Sequence, residues 1–279
     1  MAEIWLDPKT VEIHDVGKRL ARTDAGEPKG CLHTTETSGL PSYKGWTVEP
    51  HGDVMPFPNK GVRVREFLPL NYSSFSLRHT RAQDTNRDNV VQWELVGTCL
   101  SNGPGYYWPD ADDAVLLSLY DKVIAPCSLK MKIPLAALPF KKPDTARRLT
   151  DSQFDLYSGW LGHEHVPQNT HVDPGAFPWG RMIHLARERT RQNLMKIMEE
   201  VKVKNNGGLV MIRVSDDAGK GLFYAMGWID ATPKARIIQW SWNDVSKSLP
   251  DFNNDPLDLV EDVFYQLFDI VPNAVKPSA

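Results

Sequence analysis

The sequence predicts an α/β fold followed by a smaller C-terminal α+β domain, and three observations predict it. Short apolar runs of strand character, at Cys31–Leu32, Val62–Phe67 and Val90–Val96, precede a run at helical spacing formed by Val115, Leu116, Leu119 and Val123. A length of 279 residues suggests two domains more readily than one. The periodic pattern then breaks at Asn205, Asn206, Gly207 and Gly208, and hairpin signals follow.

Taken in order, Pro28 to Gly30 lead into Cys31 and Leu32, a short strand that delivers His33 at its end, where open-sheet sites form. Residues 39 to 60, rich in Pro, Gly and aromatics, read as an irregular segment with room for a hairpin. Val62 to Phe67 alternates, as a strand with one wet face does. Val90 to Val96 reads as a central strand, and its alternation puts Glu94 on one face with Gln92 and Val96. A carboxylate on a buried sheet needs a partner or a chemical role. Asp110 to Asp113 supply an N-cap and an acidic first turn for the helix that follows, with Pro126 and Pro134 expected to end that region. Residues 141 to 153 form a polar connection before the apolar LYSGWLG.

Met182 to Lys202 reads as one amphipathic helix, with Leu185, Leu194, Ile197, Met198 and Val201 on one face. Leu209–Val214 and Leu222–Ile229 flank DDAGKG as a hairpin. ARIIQWSW suits a further strand or a short helix, and Pro256 to Ile270 reads as a terminal amphipathic helix. The domain boundaries expected are 1–185, a helical linker over 186–207, and an accessory domain over 208–279.

Composition narrows the function classes. An apolar share of 41% and a charged share of 24% are those of an ordinary globular protein. The formal net charge of −3 excludes a global nucleic-acid footprint, and the local basic pairs Lys141–Lys142 and Arg147–Arg148 read as solvated loop. Cys31, Cys99 and Cys127 show no CxxC spacing and fit buried small hydrophobes in a reducing compartment. The first twenty residues lack the basic start and apolar core of a secretory signal, and no run is long enough to enter a membrane.

The chemistry concentrates between Gly162 and Gly175, GHEHVPQNTHVDPG, which gathers His163, His165, His171 and Asp173 in one turn-prone segment. Zinc held by imidazole and carboxylate commonly draws ligands from distant segments and leaves one position open for water, so His33 far upstream completes the pattern of a zinc hydrolase. These residues resemble the type-2 N-acetylmuramoyl-L-alanine amidase family, which includes phage endolysins and peptidoglycan recognition proteins. The resemblance spans roughly residues 25 to 182. It implies a mixed central sheet flanked by helices, a Zn2+ ion held by His33, His163 and Asp173, and hydrolysis of the amide between N-acetylmuramic acid and L-alanine of peptidoglycan. It places Glu94 opposite the attacking water as general base. His171 falls where many members carry a Lys that stabilises the oxyanion.

An endolysin of this kind would stay in the host cytoplasm until a holin pore released it to the cell wall. The C-terminal domain is then a candidate wall-binding module, although Trp228, Trp240 and Trp242 read equally as core aromatics. Two other readings share these residues. One is a non-catalytic peptidoglycan-binding protein of the same fold. The other is a metal hydrolase of another fold that uses His163 and His165 together. By the family spacing His165 stands behind the ligands or on the surface, while His51 and His79 are candidates only for the lining of the cleft.

Overall fold

In a computed structural model the chain divides into two compact units, Met1–Leu185 and Ala186–Ala279. The structure describes residues 2–16, 19–23, 25–43, 49–77, 86, 89–142, 147–190 and 192, and beyond these the backbone of four strands.

In the first unit, alternating apolar positions build a mixed six-stranded sheet. Its strands are β1 (Glu12–Ile13), β3 (Lys29–Thr34), β4 (Gly52–Phe57), β5 (Gly61–Glu66), β7 (Val90–Leu95) and β8 (Gly159–Gly162), in the order β1-β5-β4-β7-β3-β8. The short strands β2 (Leu20–Ala21) and β6 (Tyr72–Ser73) pair separately. Within the large sheet only the β4–β5 hairpin is antiparallel. Because β4, β7, β3 and β8 run parallel, their carboxyl ends open on one edge. Parallel strands are commonly covered on both faces, and β3 is buried along its whole length, its polar Lys29, His33 and Thr34 included.

Helices cover both faces. Helix α1 (Asp113–Leu119) is capped by the Asp112 side chain, which accepts from the Val115 N–H at 3.0 Å. It passes through a π turn (Tyr120–Ile124) into α2 (Ala125–Met131). Beneath these helices lie the buried Trp93 and Trp160, and the Trp160 indole N–H reaches Ser128 Oγ at 3.0 Å. Trp160 lies flat against Gly30, where a Cβ would fall 2.5 Å from the ring. On the opposite face Cys31, Val90, Leu161 and Val166 pack with Phe154 of α3 (Asp151–Leu156). A capping box at Thr150 and Gln153 starts α3. A helix over residues 179–190, α4, follows the polar loop that carries Asp173.

Three expectations change here. Pro126 does not end the helix: the π turn before it bonds the Ala125 N–H to the Tyr120 carbonyl, and Pro126 sits in the first turn of α2, where no N–H is needed. The chain stops instead at Lys132, in left-handed conformation with φ 56°. The segment 39–60 is not wholly irregular, since β4 lies within it. Pro56 is tolerated there because β7 pairs only with Gly52–Val54, and the facing Val62 bonds Ser118 Oγ and Lys122 Nζ rather than Pro56. The expected helix over Met182–Lys202 begins earlier, at 179, and its part beyond 192 lies outside the described residues.

In the second unit β9 (Leu209–Ser215) and β10 (Phe223–Trp228) form the expected antiparallel hairpin, and β11 (Ile237–Ser241) joins as a strand rather than a helix. Pro256–Ile270 was expected to be helical. Leu257–Val260 forms instead β12, parallel to β9, because Leu257 and Leu259 alternate with Asp258 and fit period two as well as a helix over so short a stretch. Residues 261–270 lie outside the described residues.

Candidate metal centre

Strand β3 delivers His33 to the carboxyl edge of the sheet, one residue before its end at Thr34. Strand β8 ends at Gly162, so His163 starts a single 3-10 turn beside it. The loop that returns through Asp173 packs against Gly162, where a Cβ would meet Pro174 at 2.5 Å. This is the local reason for the Gly–His pair: the glycine admits the Asp–Pro segment, and the next residue faces it.

The result is a buried cluster of His33, His163 and Asp173 whose donor atoms all lie within 4.8 Å of one another. His33 Nδ1 stands 3.1 Å from His163 Nδ1, His163 Nδ1 is 3.4 Å from Asp173 Oδ1, and His33 Nδ1 is 4.0 Å from Asp173 Oδ2. The Thr34 backbone N–H donates to Asp173 Oδ2 at 3.0 Å and aims the carboxylate. Burial opposes ionisation of Asp173, but hydrogen bonds from His163 and His171 prevail and hold it well below the usual carboxylate range. Burial, then the neighbouring His163, pushes the His33 ring down to about 3, so it is neutral and able to ligate.

The cluster could hold a metal ion, and its chemistry fits zinc. Two imidazole nitrogens and a carboxylate are a common zinc donor set. Two Nδ1 atoms 3.1 Å apart can share at most one proton, whereas one cation satisfies both lone pairs. The surroundings are acidic: Glu36 and Glu94 line the same pocket as the cluster, and the charges of Asp53 and Glu36 reach Glu94.

Glu94 sits beside His33 in register across β7 and β3, and beside Asp53 across β7 and β4, so the three side chains share one face at one level. It is half-buried and lines the same pocket of about 720 Å³ as the cluster. Burial first, then Asp173, Asp53 and Glu36, push its carboxyl well above the usual range, and a bound cation would act in the opposite direction. His171 lies at the exposed mouth, stacked on the His163 ring with centroids 4.0 Å apart and planes at 12°, and its Nδ1 is 3.5 Å from Asp173 Oδ1.

His165 and His51 lie apart from the cluster. His165 Nδ1 accepts the Gly162 N–H at 3.0 Å and its Nε2 faces the Pro139 carbonyl at 3.3 Å, so both ring nitrogens are engaged by backbone and a His163–His165 metal pair is not formed. His51 does not line the cleft: it is fully buried, its Nδ1 accepting from the Gln92 N–H at 3.0 Å and its Nε2 donating to the Tyr72 carbonyl at 2.9 Å. His79 lies outside the described residues.

Two features escape a reading of the sequence. Arg148 is not solvated loop, because its guanidinium donates to the carbonyls of Glu164, His171 and Asn169, the last at 2.8 Å, and so ties down the segment that carries His163, His171 and Asp173. Glu36, with φ 51°, accepts from Thr34 Oγ1 at 2.6 Å, Thr98 Oγ1 at 2.5 Å and the Cys99 N–H at 3.0 Å, joining the loops after β3 and β7. All three cysteines are free and buried. No helix among the described residues is long and apolar enough to cross a membrane.

No protein-family model and no curated protein matches the chain. Among solved structures it is similar to the Ph2119 endolysin from the Thermus scotoductus MAT2119 bacteriophage Ph2119, with 17% identity, 60% of this chain and 89% of that chain covered, and a TM-score of 0.37. It is also similar to the N-acetylmuramoyl-L-alanine amidase LysC from Clostridium intestinale URNW, with 14% identity, 62% and 95% covered, and a TM-score of 0.35. A selenomethionine derivative of AmpD is a third, with 14% identity, 65% and 99% covered, and a TM-score of 0.35.

Proposed function

We propose that the chain is a zinc-dependent peptidoglycan amidase that hydrolyses the bond between N-acetylmuramic acid and L-alanine of the stem peptide. The observation that carries this reading is the convergence of His33, His163 and Asp173 within 4.8 Å in an open pocket that Glu94 also lines. The bond and the substrate come from the motif resemblance around Gly162–Gly175, and the geometry is compatible with both.

His33 Nδ1, His163 Nδ1 and one Asp173 oxygen would hold the ion, which when bound supplies a Lewis acid and lowers the pKa of water to about 7. Glu94 accepts the proton of the attacking water and returns it to the leaving amine, a role suited to a carboxyl whose proton affinity is raised. His171, at the mouth and stacked on His163, donates an N–H to the oxyanion that develops on the substrate carbonyl. Arg148 and the Thr34 N–H keep the loop and the Asp173 carboxylate in place while this happens.

The test is elemental analysis of the purified protein followed by mass spectrometry of peptidoglycan digests. The expected outcome is about one zinc per chain, as three ligands and one open position require, and products with free L-alanine amino termini. His33→Ala, His163→Ala and Asp173→Ala should each strip the metal and abolish turnover. Full activity after thorough chelation overturns the zinc reading. Zinc binding and sacculus adsorption without new amino termini would favour a non-catalytic binder.

A further inference from the structure

Outside the cluster, a line of buried amides leads to the back of the His33 ring. It starts at the Leu77 backbone, whose polarity is unambiguous. The Leu77 N–H donates to Asn86 Oδ1 at 2.8 Å, and Asn86 Nδ2 donates to the Leu77 carbonyl at 2.6 Å, which fixes which way the Asn86 amide points. Asn86 Oδ1 also accepts from Gln92 Nε2 at 3.1 Å, so the Gln92 amide is fixed in turn, with its Oε1 directed away from Asn86.

Gln92 and His33 are diagonal neighbours on one sheet face, since Cys31 pairs with Gln92 and His33 with Glu94. The Gln92 side chain acts on the His33 ring. All three side chains, Asn86, Gln92 and His33, are buried. Gln92 Oε1 and His33 Nε2 are both buried atoms without a hydrogen-bond partner among the described residues. They are complementary: a carbonyl oxygen only accepts, and a neutral imidazole carries one N–H to give. Leaving both unmade would cost the desolvation of two polar groups.

We infer that Gln92 is a positioning residue for metal binding: it takes the His33 Nε2–H, and so turns the bare Nδ1 toward His163 and Asp173. The inference rests on the metal reading above and deepens it, because a ligating histidine is oriented by the partner of its other nitrogen. Polarity then runs without a break from the Leu77 backbone through Asn86 and Gln92 to the ligand atom.

The test reads the ring itself. In metal-free, 15N-histidine-labelled wild-type protein, long-range 1H–15N spectra should show His33 as the Nε2–H tautomer. Gln92→Met keeps the shape and removes the acceptor, so the tautomer should become mixed and the zinc dissociation constant, from competition with a chelator, should rise roughly 10- to 100-fold. Asn86→Ala leaves Gln92 present with its amide unfixed and should give a smaller shift in the same direction. A wild-type His33 protonated on Nδ1 overturns the inference without any variant. So does a Gln92→Met protein that folds and binds zinc within twofold of wild type. Neither readout involves peptidoglycan, so absence of amidase activity would refute the proposed reaction and leave this result standing.

Discussion

Lowering the pH from 7 to 5 should cost the fold about 2 kcal/mol through His51 alone. Burial, with the Arg22 charge adding to it, pushes this ring down to about 3 from its ordinary 6.5. At pH 5 the unfolded chain therefore carries a protonated His51 and the folded chain a neutral one. The unfolded state binds more protons, so stability falls as pH drops below 6.5 and goes on falling until the pH passes the folded value. The interval from 6.5 to 5, at roughly 1.36 kcal/mol per unit, gives the figure of about 2 kcal/mol. Urea unfolding followed by tryptophan fluorescence in chelator, at both pH values, checks it. Wild type should lose about 2 kcal/mol more than His51→Gln, whose amide can still donate to the Tyr72 carbonyl. His33 and His165, also pushed down, contribute equally to both proteins and cancel in the difference. An equal pH dependence in the two proteins, or an NMR titration of the His51 ring with a midpoint near 6.5, would refute the buried neutral assignment and return His51 to the cleft.

Three further outcomes follow from the site. Glu94→Gln should keep zinc and lower turnover by about 10²-fold or more, measured by release of new amino termini from soluble muropeptide; a native rate would make the carboxylate structural. His171→Ala should also leave zinc in place, because the residue stands at the exposed mouth, and should lower kcat by about 10²-fold with little change in KM. An unaltered kcat removes it from the reaction. Arg148→Met should lose about 2 kcal/mol of stability and weaken zinc binding together, since three carbonyls of the ligand loop lose one shared donor; if both stay at wild-type values, Arg148 is surface after all.

What could be read from the sequence was local. Strand alternation put Glu94 and Gln92 on one face, and the Gly162–His163 and Asp173–Pro174 pairs marked the loop that brings His163 and Asp173 to His33, because these patterns span a few residues. What escaped depends on pairing between distant segments. Arg148 looked like loop because nothing near it in sequence shows the carbonyls that it binds between 164 and 171. Pro126 looked like a stop because a π turn has no signature in composition. β4 was obscured by Pro56, which is harmless only where β7 has ceased to pair.

The same limit applies to the electrostatics of the site. Register places Glu12, Arg65, Asp53, Glu94 and His33 at one level across β1, β5, β4, β7 and β3, although they are scattered from 12 to 94 in the chain. Arg65 pairs with Asp53 through two guanidinium nitrogens, one at 2.9 Å from Oδ1, and the Tyr43 hydroxyl donates to the same carboxylate at 3.2 Å. Within the row Arg65 thus balances Asp53, while Glu12 at its end is paired with Arg63. Toward the other end, burial first, then the charges of Asp173, Asp53 and Glu36, raise the proton affinity of Glu94. A lone carboxylate on a strand is visible in the sequence, but the burial and the neighbouring charges that raise its proton affinity come from strands distant in the chain.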